Sequence, residues 1–177
     1  LIGALQGKML IESNRTLMEQ LSRIPSVWLL GRPQGCAGDC VGANDVLLGE
    51  KAADYLADHG HQHVAFLSPK PDHLIMTNRE TGFVSQAMRR GLDIQCFVDP
   101  PSRGWKLPIK PPLSTDAVQH LVDQLLNASK RPTAIFAGAD SVAAVVYGSL
   151  ARRGIKVGDE ISVISGNNDH AFITGLY

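Results

Sequence analysis

Short runs of apolar residues recur along the chain at Ser26 to Leu30, His63 to Leu67, Leu92 to Val98, Thr133 to Ala137 and Ile161 to Ser165. Each is nearly continuous in apolar residues, the pattern of strands buried on both faces. Between them the period changes. Leu17, Met18 and Leu21 stripe a helix before the first run. Leu48, Ala52, Tyr55 and Leu56 stripe a second, opened by Asn44 or Asp45 and closed by Gly60. Phe83, Val84, Ala87 and Met88 form a third, stopped by Gly91. Val118, Leu121, Val122, Leu125 and Leu126 give the cleanest helical spacing, with Ser114 or Thr115 as start. Val142, Val145, Val146, Ser149 and Leu150 form the last, with Arg152 and Arg153 in its final turn and Gly154 beyond.

Strand and helix therefore alternate. Such alternation calls for crossover connections and a parallel sheet covered on both faces. The expected fold is α/β, with doubly wound parallel sheets. One stretch breaks the rhythm: Asp99 to Leu113 is rich in proline and has no period, so it reads as an extended surface loop.

Charge narrows the reading. Lys and Arg number 17 against 17 Asp and Glu, and no basic patch stands out. A surface that grips phosphate backbones normally shows one, so this stretch is not itself expected to contact DNA. No apolar run reaches the length of a membrane span. Cys36, Cys40 and Cys96 are an odd count in a chain too long for a disulfide scaffold, and they read as reduced thiols of a cytoplasmic protein. Neither Cys36 with Cys40 nor the run His59-Gly60-His61-Gln62-His63 has a second ligand pair at metal spacing, so no metal and no cofactor is expected.

Ligands of open α/β sheets bind beyond the carboxyl ends of the strands. The residues just past each run are Gly31-Arg32-Pro33, Ser68-Pro69, Asp99 with Trp105 further on, Gly138-Ala139-Asp140 and Gly166-Asn167-Asn168-Asp169. Hydroxyl, amide and carboxylate groups with one aromatic suit a polar, hydroxylated small molecule. Arg79 lies near the start of its helix, where a cation opposes the helix dipole. It is either a solvated or Glu80-paired arginine or a guanidinium fork aimed at ligand oxygens. Asp140 is well placed to cap the helix that follows, which does not exclude a ligand contact. Asn167 and Asn168 suit a turn. The dinucleotide, P-loop, nucleophile-elbow and zincin signatures are all missing, and nothing in the sequence argues for an enzyme.

Several blocks together resemble the LacI/GalR family of bacterial transcription regulators. They are Asn44-Asp45, Gly49, Tyr55-Leu56, Gly60-His61 and Val64 to Leu67; then Arg79 with Gly82-Phe83; then Arg131 to Phe136, Ala139-Asp140, Gly148 and Gly154 to Ile164. The blocks stand in family order from about Ile24 to Asn168. The resemblance implies a periplasmic-binding-protein-like type I core of two lobes, the second the more complete. Residues 1–43 would belong to the N-terminal lobe, 44–165 to the C-terminal lobe and 166–177 to the crossover back, with the helix-turn-helix headpiece absent from this chain.

By the same resemblance the protein is a cytoplasmic, homodimeric regulator and not an enzyme. It would bind operator DNA through that headpiece and a small effector, a sugar, sugar phosphate or similar metabolite, between the lobes. A periplasmic sugar-binding protein of a transport system is the alternative with the same fold. Arg79 falls on the family's effector-binding arginine, Asp140 on an acidic residue lining the cleft, and Trp105 on an aromatic that stacks on the effector. Ser68 and Asn167 complete the expected ligand set. Two positions depart from the pattern. Asn167 puts an amide where a carboxylate commonly grips ligand hydroxyls, and Leu30 stands where many members have a polar contact. Fewer negative neighbours around Arg79 leave a phosphorylated or anionic effector open.

Overall fold

The computed structural model describes residues 15–32, 36–70, 73–99 and 115–169. Its elements run α1 (Arg15–Leu21), β1 (Val27–Leu29), β2 (Asp39–Val41), α2 (Asp45–Asp58), β3 (His63–Ser68) and α3 (Leu74–Arg89). They continue with β4 (Asp93–Val98), α4 (Thr115–Leu126), β5 (Ala134–Ala137), α5 (Asp140–Arg152) and β6 (Ser162–Ser165). Trp105, nearly all of the Pro-rich stretch and residues 170–177 lie outside the described residues.

Four strands form a parallel sheet in the order β4-β3-β5-β6. From β3 the chain steps outward to β4, then returns past β3 to β5 and on to β6. The strand order thus reverses between β3 and β5, which makes their carboxyl ends the switch point where such sheets open a crevice.

Side-chain alternation divides the core. Val64, Phe66, Ala134 and Phe136 pack with Ala52, Ala53 and Leu56 of α2 and Phe83 and Ala87 of α3. Ala65, Leu67, Ile135 and Ala137 face Val118 to Leu125 of α4 and Val142 to Leu150 of α5. Both faces are covered, as the alternation of elements predicts. Phe66, Phe83 and Phe136 meet in tilted contacts with centroids 5.1–6.3 Å apart, within the range rings favour.

The predicted helix stops hold. Gly60, Gly91 and Gly154 have φ of +83°, +70° and +71°. The amides of His61, Leu92 and Ile155 reach back to the carbonyls of Leu56, Ala87 and Leu150, each closing a Schellman motif.

Some expectations are corrected. β4 is not buried on both faces: it is the terminal strand, with Asp93 and Cys96 exposed. β6 is likewise only partly covered. β1 is shorter than the Ser26 to Leu30 run, because Leu30 turns to φ +68° and leaves the strand. It pairs in parallel with β2, which the apolar pattern does not reveal, since all three β2 residues are exposed.

Candidate functional site

Asn44 caps α2, its side chain accepting from the Leu47 amide at 3.0 Å. That leaves Asp45, the first helical residue, free to face inward. Gly49 lies one turn further on, and α3 crosses there at backbone distance. A Cβ on Gly49 would stand 2.1 Å from the Arg79 carbonyl oxygen, and one on Gly82 would stand 2.0 Å from the Val46 carbonyl oxygen. The two glycines therefore let the helices touch, and the touching sets Arg79 over Asp45.

Arg79 is buried, 4% exposed, and Asp45 is 5% exposed. Arg79 Nε donates to Asp45 Oδ1 at 2.9 Å, and Nη1 donates to the Gly138 carbonyl at 2.7 Å. Glu80 is not its partner. Nor does it sit at the helix start: α3 begins at Leu74, so Arg79 lies in the second turn and the dipole penalty does not apply. The guanidinium spans the switch point, since Gly138 directly follows β5 and its amide continues the ladder to Leu67 of β3 at 3.0 Å. Among the described residues Nη2 has no hydrogen-bond acceptor.

Ser68 ends β3 beside this carbonyl. It is buried, and its Oγ accepts from the Lys70 amide at 3.3 Å. A Cβ on Gly138 would meet Met76 Sδ at 2.7 Å, so the backbone there is closely enclosed. Asp99, past β4, has its carboxyl raised by burial, opposed by the charge of His120.

Asp140 is not an N-cap. Ala139 occupies that position without a side-chain cap, and Asp140 is the first residue of α5. Its carboxylate accepts instead from Ser165 Oγ and the Asp169 amide, tying the head of α5 to the chain leaving β6. Asn167 and Asn168 follow β6 with φ of +100° and +55°, a left-handed turn as their residue types suggest. Both are exposed. The fold thus gathers Ser68 and Arg79 at the switch point, with Asp140 and Asn167 further along the same end of the sheet.

Sequence reasoning missed His73, at the mouth of α3. Its Nδ1 is enclosed and has no hydrogen-bond partner. Burial, then the charges of Lys70 and Arg79, press its pKa from 6.5 down to about 4, against an opposing pull from Asp45. A lone histidine beside a helix start carries no periodic signal. Lys70 is half-buried, which lowers its pKa too.

The histidine run lies at the other end of the strands, and its imidazoles diverge. His59 stacks on Tyr55 with centroids 4.0 Å apart, His61 Nδ1 lies 2.9 Å from Thr133 Oγ1, and His63 Nδ1 lies 3.4 Å from Asp93 Oδ2. All three cysteines are free thiols. No helix among the described residues is long and apolar enough to cross a membrane.

Residues 53–176 match the family of periplasmic binding protein-like domains. The chain is 30% identical over 159 residues to the HTH-type transcriptional repressor PurR of Vibrio parahaemolyticus, covering 90% of this chain and 45% of that protein. It is 27% identical over 153 residues to the ribose operon repressor of Escherichia coli, covering 86% and 44%. The chain thus spans under half the length of these curated relatives. A LacI-family regulatory protein of Chloroflexus aggregans superposes with a TM-score of 0.75 at 18% identity, over 98% of this chain and 58% of that one.

Proposed function

Since the chain belongs to the family of periplasmic binding protein-like domains, as the effector-binding core of a LacI/GalR-type regulator, we propose that it senses a small metabolite and passes the signal to operator DNA. Residues 1–43 contribute to one lobe and 44–165 form the other, with 166–177 crossing back. The effector sits in the cleft between lobes, at the switch point of the four-stranded sheet. Arg79 is its central contact, with Ser68, Asp140, Asn167 and Trp105 around it. The protein acts as a cytoplasmic homodimer and reaches DNA through a helix-turn-helix headpiece. The repressor relatives favour this reading over a transport-associated binding protein.

One observation carries the site. Arg79 is held rigid by Asp45 and the Gly138 carbonyl while Nη2 has no acceptor among the described residues. A guanidinium anchored on two nitrogens presents its third to a ligand oxygen at little entropic cost. The ribose operon repressor's name adds a pentose to the effectors worth testing.

The test is a thermal-shift screen of the intact protein against sugars, sugar phosphates and purines, since a ligand selective for the folded state raises apparent stability. A stabilising compound is expected. Arg79→Lys keeps a cation but loses the planar fork and should weaken that compound at least ten-fold. Unchanged affinity in Arg79→Lys would remove Arg79 from the site.

A further inference from the structure

The switch point holds basic groups to which a neutral hydroxylated ligand offers no ionic partner. Lys70, two residues past β3, is half-buried and has no ion-pair partner among the described residues. His73 presents an enclosed Nδ1 with no hydrogen-bond partner. Arg79 adds the uncommitted Nη2. The nearby acidic groups do not occupy these three atoms. Asp45, from α2, is matched one to one by Arg79. Asp140, from α5, keeps its charge but accepts from Ser165 and the Asp169 amide, and Asp169 adds a second, exposed carboxylate there. Asp99, past β4, is drawn toward its neutral form by burial and faces His120 of α4. Asn167 brings an amide and no charge.

Resting on the reading of this rim as the effector site, we propose that the effector carries an oxyanion, the carboxylate of a sugar acid or the phosphate of a sugar phosphate, held by Lys70, His73 and Arg79. Each of the three then has an acceptor. Oxyanions are the partners for which a guanidinium and an ammonium make charge-assisted bonds. They also relieve the enclosed imidazole. In the empty site burial above all, and then the charges of Lys70 and Arg79, oppose protonation of His73. A bound negative charge offsets the coulombic part of that opposition and raises the pKa of His73, so proton uptake on binding is expected there.

Affinity for an anion that does not itself titrate near neutrality therefore rises as pH falls below the pKa that His73 acquires in the complex, by at most about ten-fold per pH unit. A neutral sugar gains nothing.

The experiment is calorimetric titration of the intact protein with gluconate, ribose 5-phosphate, inorganic phosphate and ribose. Gluconate serves the pH series because its carboxylate stays ionised throughout. At least one sugar anion is expected to bind well ahead of ribose. Gluconate favoured over ribose 5-phosphate identifies a carboxylate and the reverse a phosphate, while free phosphate reports whether the anion suffices alone. Lys70→Met should weaken the preferred anion about ten-fold or more, and His73→Gln should abolish proton uptake. Both variants are checked for an unaltered circular dichroism spectrum. Failure of both sugar anions, or binding that ignores Lys70→Met and His73→Gln, overturns the inference. If ribose then binds in an Arg79-dependent manner, the effector-site reading survives. If every ligand found binds independently of Arg79, that reading falls as well.

Discussion

Arg79 Nε and Asp45 Oδ1 meet at 2.9 Å although 34 positions separate them in the chain, and both side chains are almost fully buried. Removing one member of such a pair strands the other charge away from water. Asp45→Ala should therefore cost about 3–5 kcal/mol in denaturant unfolding. Replacing both, as in Asp45→Leu with Arg79→Met, removes the stranded charge and should recover most of that loss. The double variant should unfold close to wild type and bind no effector.

The pair depends on two glycines. Gly82→Ala would place a methyl group 2.0 Å from the Val46 carbonyl oxygen, so α2 and α3 must part. Overpacking of this kind costs about 1–3 kcal/mol, and a clash with backbone belongs at the upper end. Thermal unfolding measures the loss. Gly148→Ala provides the control, because the nearest atom there is the flexible end of Arg152 at 3.5 Å.

His73 makes stability depend on pH. The unfolded chain takes a proton at His73 near pH 6.5, whereas the folded chain refuses it down to about 4. The unfolded state binds more protons within that window, so stability rises with pH between about 4 and 6.5 and levels off above it. His61, also lowered by burial, contributes in the same direction. Melting temperatures across this range should fall less steeply toward acid in His73→Gln than in wild type. Parallel curves would show that His73 titrates normally in the folded protein.

Leu30 adopts φ +68° with its side chain more than half exposed. A left-handed conformation costs an ordinary residue about 1–2 kcal/mol, and asparagine tolerates it better. Leu30→Asn gives up little burial, so it should leave stability unchanged or raise it by up to about 1 kcal/mol, read from the unfolding midpoint. A loss above 1 kcal/mol would mean that Leu30 is packed.

The fold was legible where physics is local. The apolar run Val64 to Leu67 of β3 and all of β5 are buried, as their continuity predicts. Gly60, Gly91 and Gly154 end helices because the left-handed turn past each helix favours a residue without Cβ. β2 was invisible because Asp39, Cys40 and Val41 present no buried face to pattern. The site was legible by position more than by role. Ser68 and Arg79 could be placed at strand ends and on a named helix. That Arg79 takes Asp45 and not Glu80, and that Asp140 reaches Ser165, are contacts between residues 25–34 positions apart that no local window contains. His73 acquires its importance only from what the fold stacks around it.

The most direct test of the account joins the effector site to DNA. Operator affinity of the intact protein would be measured by fluorescence anisotropy with and without the best stabilising ligand, for wild type and Arg79→Lys. Couplings of this type amount to about 1–3 kcal/mol, so the ligand should change wild-type operator affinity between about 5-fold and 150-fold. In Arg79→Lys the same ligand concentration should change it far less, while operator affinity without ligand stays near wild type. An equal response in both proteins would contradict the account.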